Sequence, residues 1–324
     1  MRVEGVMKPL ESYSKFNDIL KNMNENKYPI NIYGLSDSGR SYIIDGIFNE
    51  NDKSVVVVTY SDVDAKNLYE DLSFYSTEVY YFPVKEVVFY NVDAISGDLR
   101  WARLKVIKEM LENSKKKIIV TSIDTLTTLY TPGQKYLDYT IDINTGDEID
   151  LKILANKLVQ CGYERVETVE GKGEFSFRGG ILDVFPPIAV YPYRIELFGD
   201  EVDSIRTFNT SSQRSIEKIN KITIFPAKEV IVDEEAKKRA NELITAELTD
   251  IIRNTDDEER VDKIRMIVNK NIEVLNNTST FETIDSYLPY FYEKLETLFD
   301  YLKGYTFIID DIKRCSGKLD SIYY

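Results

Sequence analysis

Apolar and polar positions follow two different rhythms along the chain, and the change of rhythm divides it. Up to about residue 138, short apolar runs are separated by stretches with helical spacing. Ile30 to Tyr33 reads as a short buried strand, followed by a Gly/Ser loop and the apolar stretch Tyr42 to Phe48. Val55 to Tyr60 is a β-branched run of the kind buried in parallel sheets. In the next segment, Ser61 to Tyr75, the residues Ala65, Leu68, Tyr69 and Leu72 recur at helical intervals. Val79 to Phe82 and Lys117 to Val120 are further strand candidates, with a helix expected over Arg100 to Leu111. Strands alternating with helices predict a parallel sheet with crossover helices, a three-layer α/β domain over residues 1–138.

Near Tyr139 the rhythm shortens. After a helical stretch, Leu151 to Gln160, come strand candidates Glu174 to Arg178, Ile181 to Phe185, Tyr193 to Phe198 and Val202 to Phe208. Gly179–Gly180, Pro186–Pro187 and Gly199–Asp200 punctuate them, which predicts a small antiparallel meander within residues 139–225. Residues 226–324 read as mostly helical. Ala236, Ala240, Leu243, Ile244, Leu248, Ile251 and Ile252 form one apolar stripe, and Val261, Ile264, Ile267 and Val268 another. A closing apolar strand within residues 305–311 is expected to return to the first domain's sheet.

Composition narrows the chemistry. The chain has 324 residues, 43% of them hydrophobic, which suits two or three folded units. It contains no histidine, which excludes Ser-His-Asp and Cys-His catalysis and every His-metal site. Cys161 and Cys315 lie too far apart in sequence to form a ligand-spaced pair, so neither a zinc ribbon nor a disulfide framework is expected. The net charge of −14 disfavours autonomous nucleic-acid binding. No apolar run approaches the roughly 20 residues of a membrane span, and no secretory signal is visible. A cytoplasmic location and no membrane partner are the default. Lys115 to Lys117 reads as a solvated helix end rather than a DNA patch, and Tyr287, Tyr290, Phe291, Tyr292 and Phe299 as core or an interdomain contact rather than a base-stacking platform.

One motif carries candidate chemistry. Gly34-Leu35-Ser36-Asp37-Ser38-Gly39-Arg40-Ser41 fits the phosphate-loop pattern except at its lysine, where Arg40 stands. Such a loop curls its amides around a phosphate at a helix N-terminus, and the lysine reaches the β/γ-phosphates. Arginine carries a wide planar fork and is not equivalent. Asp37 adds a negative charge within the loop. The second half of an ATP site would be an apolar strand ending in Asp-Glu. Phe307-Ile308-Ile309-Asp310-Asp311 ends in Asp311, one methylene short of glutamate. Gly34, Gly39, Arg40 and Ser41, with Asp310 and Asp311, therefore read as a degenerate nucleotide site with no catalytic residue, no metal ligand and no functional cofactor.

The central blocks resemble a known family. They are Gly162 to Arg165, Gly173 to Pro186 and Arg194 to Arg206, continued by Ser211 to Ser215, Ile224 to Ala227, Tyr287 to Tyr292 and Leu298 to Leu302. This pattern is similar to a domain shared by the excision-repair subunit UvrB and the transcription-repair coupling factors. The coupling factors are the better fit, because UvrB would keep the lysine at position 40. UvrB would also carry a long Tyr-rich hairpin, for which Tyr81 to Arg100 is short. The resemblance implies a degenerate RecA-like domain with an inserted β domain and a helical subdomain. It implies UvrA as partner, with autoinhibitory contact to the parent's own motor and C-terminal domains. ATP, Mg²⁺, DNA translocation and RNA polymerase binding would belong to other parts of the parent. An active UvrB-type helicase subunit is the alternative.

Within that domain, strand alternation places Ile195 and Leu197 on one face and Arg194, Glu196 and Phe198 on the other. Phe175 and Phe177 would point inward, with Ser176 and Arg178 outward and Arg165 joining the same patch. A charged pair beside a large aromatic is typical of an interface hot spot. The alternative reading pairs these arginines with Glu196, Asp183 or Glu201 as ordinary surface ion pairs. The family resemblance favours Arg165, Arg178, Arg194, Glu196 and Phe198 as the partner-binding set.

Overall fold

Four parallel strands form where β-branched and aromatic residues concentrate. The computed structural model describes residue 10 and residues 12–85, 97–112, 114–278 and 284–323. It is a mixed α/β chain with one parallel sheet and separate, mainly antiparallel sheets. Contacts divide it into two units, one from residues 1–87, 109–128 and 297–324, the other from 88–108 and 129–296.

In the first unit the sheet order is Thr306–Ile309, Val55–Thr59, Ile118–Ser122, Val79–Phe82, every pair parallel. All residues of Val55–Thr59 and Ile118–Ser122 are buried, so both faces of the sheet are covered. The closing strand pairs with Val55–Thr59 in the register Val55 to Thr306. Helix Asp62–Ser73 is capped by the Ser61 side chain and buries Ala65, Leu68 and Leu72. Helix Asp37–Glu50 presents Ile44 and Phe48 to the same core.

Two expectations fail in this unit. Ile30 to Tyr33 is not a strand. The segment is irregular and largely exposed, with Tyr33 solvated, and Thr306–Ile309 is the sheet's edge. Lys116 and Lys117 are not a solvated helix end. Lys116 Nζ donates to the carbonyls of Phe48, Asn49 and Asn51 at the end of one helix, and Lys117 Nζ to those of Glu109 and Glu112 at the end of another. Both neutralise the partial negative charge of helix C-termini. Residues 86–96 of the stretch expected to lack a long hairpin lie outside the described residues.

The second unit contains a six-stranded sheet in the order Ser215–Ile219, Glu201–Phe208, Tyr193–Phe198, Ile181–Val184, Glu174–Arg178, Glu164–Arg165. Its pairs are antiparallel except the last, which is parallel. Helix Leu151–Gln160 supplies Leu154 and Leu158 to the core against Phe175, Leu182, Val184, Ile195, Val202 and Ile205. Ile141–Asn144 pairs with Lys221–Ile224 in a small separate sheet that the sequence pattern missed. Helices Glu234–Arg253 and Glu258–Thr278 share a second core in which Ala236, Ala240, Ile244 and Leu275 meet Leu288, Phe291 and Tyr292. No helix among the described residues is long and apolar enough to cross a membrane.

Candidate functional site

The phosphate-loop motif folds differently from an anion cradle. The helix begins at Asp37, so Asp37 to Ser41 form its first turns and only Gly34, Leu35 and Ser36 lie outside it. Gly34 takes φ 78°, a conformation suited to glycine. The Ser36 hydroxyl accepts from Gly39 N at 3.2 Å, and its carbonyl accepts from Arg40 N at 2.9 Å. Two of the amides that an anion would need are thus satisfied within the chain. Ser41 Oγ donates to the Ser38 carbonyl.

Arg40 Nη1 lies 2.6 Å from Asp310 Oδ2, with both side chains about four-fifths buried. The two charges offset one another, although burial still holds the Asp310 carboxyl above its ordinary range. Asp311 has a different task. At φ 54° its Oδ1 accepts from Arg314 N at 3.2 Å, capping helix Ile312–Tyr323. A short carboxylate suits that role better than glutamate.

The six-stranded sheet brings most of the other predicted residues together. Two tight turns do this. Gly179, at φ 61°, links the paired residues Arg178 and Ile181, and Gly199, at φ 66°, links Phe198 and Glu201. Because Ile181 also pairs with Glu196, both hairpin tips lie at the same end of the sheet. Phe198 is 85% exposed, and Ile181 is also exposed. The Arg178 side chain is mostly solvated and lies 3.8 Å from Asp183.

Arg194 sits deeper. Its Nε and Nη2 donate to the two Asp183 oxygens at 2.7 and 2.8 Å, and its guanidinium lies 4.5 Å above the Phe208 ring. These bonds raise its pKa further above the ordinary arginine value. Nη1 and Nη2 also donate to the backbone and side-chain oxygens of Gln213, each at 3.2 Å. Glu196 accepts from Ser204 Oγ at 2.6 Å and pairs with Arg206 at 3.4 Å.

Ser176 shares the outer face with Arg178 but is buried in the cross-strand row of Asp183 and Arg194. Arg165 does not join that row. Its register partner is Phe175, a core residue, which places Arg165 with the inward row at the sheet's edge. Arg206, Ser204, Gln213 and Phe208 lie among the segments singled out in the sequence but were not assigned to this face. A bulge between Val202 and Ser204 puts Ser204 and Arg206 on the face opposite the one that simple alternation from Val202 assigns. A groove of about 490 Å³ lined by Asp138, Tyr139, Ile153, Asn156, Lys157 and Gln160 includes none of these residues.

At one end this β sheet presents a solvated phenylalanine, Phe198, and a mostly solvated arginine, Arg178, on neighbouring hairpin tips. Residues 141–230 match the family described as the UvrB interaction domain, which contains this whole sheet. Over nearly its full length the chain is a relative of the transcription-repair-coupling factors. It is 34% identical to that of Bacillus subtilis (strain 168), over 96% of this chain and 27% of that protein. It is 32% identical to that of Staphylococcus haemolyticus (strain JCSC1435), over 86% of this chain and 24% of that protein. Against Staphylococcus aureus (strain Mu50) the figures are 28%, 90% and 25%. The chain thus spans about a quarter of the length of these relatives.

Proposed function

We propose that this chain is a non-catalytic, UvrB-like module that recruits UvrA in transcription-coupled nucleotide excision repair. The observation that carries the reading is the pair of hairpin tips bearing Arg178 and Phe198 within the UvrB interaction domain. A phenylalanine 85% exposed beside a tight turn is apolar area that a partner can cover. Arg178 is held only at 3.8 Å by Asp183 and can meet a partner carboxylate at little cost. Glu196 and Arg206 supply both signs of charge around that anchor, which favours one docking register over others.

In this reading Gly34 to Ser41 is a relic phosphate loop of a RecA-like domain, and the chain hydrolyses no ATP. The Arg40–Asp310 pair supports this, since Asp310 would have to give up its bond to Arg40 before it could serve a Mg²⁺ ion. ATP-driven DNA translocation and contact with RNA polymerase would fall to portions of the coupling factor outside the matched quarter. Those portions would also supply an autoinhibitory cover for the Phe198 face. Titration of the chain with purified UvrA tests the proposal. Saturable binding that Arg178→Glu and Phe198→Ala each weaken is expected, and no binding by the unsubstituted chain overturns it.

A further inference from the structure

The segment Ser211 to Ser215 was singled out in the sequence but has no part in the proposed contact, and its geometry is unusual. Gln213 has φ 57°, a left-handed conformation that a long unbranched side chain rarely adopts. A glycine or asparagine would hold the same turn with less strain. The turn itself is already built from other groups. Asn209 N donates to Arg214 O, Gln213 N to Asn209 O, and Ser212 N to Asn209 Oδ1. The backbone therefore does not need glutamine at this position.

The Gln213 side chain is what the strain secures. Its Nε2 donates to Thr210 O at 2.7 Å and to Val169 O at 3.3 Å, which fixes the amide. Its Oε1 and its backbone carbonyl then accept from Nη2 and Nη1 of Arg194. A guanidinium has five N–H groups. Asp183 and Gln213 take four of them from Arg194, leaving one on Nη1. Both Asp183 oxygens are engaged by Arg194, and Arg178 lies 3.8 Å from that carboxylate, beyond hydrogen-bond distance.

We infer that Gln213 is a positioning residue of the partner-binding face. By locking Arg194 onto Asp183 it fixes the direction of the last Arg194 N–H and leaves the Arg178 guanidinium available to carboxylates of an acidic partner surface. Without Gln213, Arg194 can swing about its Asp183 bonds, and Arg178 can compete for the same oxygens. The inference rests on the UvrA-binding reading of this face.

The test compares UvrA affinity and thermal midpoint for the unsubstituted chain, Gln213→Gly and Gln213→Ala. Glycine removes the side chain and relieves the left-handed strain, whereas alanine removes the side chain and keeps the strain. Both variants are expected to bind UvrA about tenfold more weakly, while only Gln213→Ala lowers the thermal midpoint. A purely structural role predicts the opposite pattern, with affinity following the midpoint and Gln213→Gly binding normally. That result overturns the inference while leaving the UvrA reading intact. Absence of binding by the unsubstituted chain removes both.

Discussion

Arg40 and Asp310, separated by 270 positions in sequence, meet at 2.6 Å. The arginine that breaks the phosphate-loop pattern thus has a structural task, to neutralise a carboxylate that the closing strand carries into a mostly buried position. Removing it leaves that carboxylate without its partner. Arg40→Ala is expected to destabilise the chain by about 1–3 kcal/mol at pH 7. The direction of the pH effect follows from Asp310, whose carboxyl is raised by burial even though Arg40 pulls it down. A carboxyl raised in the folded state favours folding below its unfolded value and loses that advantage as pH climbs through the folded value. Without Arg40 the folded value moves higher, so the penalty should grow with pH above the ordinary aspartate range. Denaturant midpoints at pH 4 and pH 7 check this, and a penalty that is the same at both would refute it.

Restoring the missing lysine should not restore a nucleotide site. The helix starts at Asp37 and Ser36 occupies two amides of its first turn, so Arg40→Lys exchanges one cation for another and leaves the closed backbone. Asp311→Glu would disturb the cap of helix Ile312–Tyr323. Calorimetric titration with Mg-ATP at about 1 mM should give no heat of binding for either the unsubstituted chain or Arg40→Lys. Saturable binding by Arg40→Lys would mean that the loop opens readily.

The exposed anchors at the hairpin tips should separate binding from stability. Phe198 and Arg178 touch little of the core, so Phe198→Ala and Arg178→Glu should each shift folding stability by no more than about 0.5 kcal/mol. Each should weaken UvrA binding by at least about tenfold, as hot-spot truncations do. Asp183→Ala should behave differently. It strands Arg194 in a partly buried position and should cost about 3–5 kcal/mol. Parallel affinity and denaturation curves distinguish the two classes.

The sheet was legible in the sequence because Gly179–Gly180 and Gly199–Asp200 mark its turns and Ile195 and Phe175 keep strict alternation. Four features hid the rest. The bulge after Val202 reverses the face of Arg206, so a period-two count from Val202 places it in the core. Arg165 lies near the predicted patch in sequence, yet its pairing with Phe175 assigns it to the other row. Lys116 and Lys117 look like solvent-facing charge until helix ends more than 60 and about 5 residues away offer them carbonyls. Ile30 to Tyr33 has the composition of a strand without a place in the four-stranded sheet, and composition alone does not say which neighbour is available.

Lys228 provides an electrostatic test independent of the binding face. Burial lowers its pKa to about 8, although the nearby Cys161 opposes that shift and Lys237 adds to it. Its stem packs against Gly162. A lysine depressed in the folded state binds fewer protons there than when unfolded, so stability rises with pH between about 8 and its ordinary 10.5. Lys228→Met keeps the stem and removes the charge. The variant should be more stable than the unsubstituted chain at pH 7.5, with an advantage that shrinks towards pH 10. An advantage that is constant across that range would show that the ammonium is solvated.

The turn that carries Arg178 depends on two adjacent glycines for different reasons, and the difference can be measured. Gly179 needs its left-handed φ of 61°, but nothing lies within 4 Å of where a Cβ would stand. Gly180 has no such angle, yet a Cβ there would lie 2.9 Å from the Leu197 carbonyl oxygen. That oxygen belongs to the neighbouring strand, whose Leu197 N–H bonds Gly180 O at 2.8 Å, so the backbone cannot yield without breaking the ladder. Gly180→Ala should therefore cost about 1–3 kcal/mol and part the tip bearing Arg178 from the tip bearing Phe198. Gly179→Asn should cost less than about 1 kcal/mol, because asparagine tolerates the left-handed region. The first variant should lose UvrA binding and the second should keep it. Equal stability and equal binding for the two would mean that the tips are not held together by this close backbone approach.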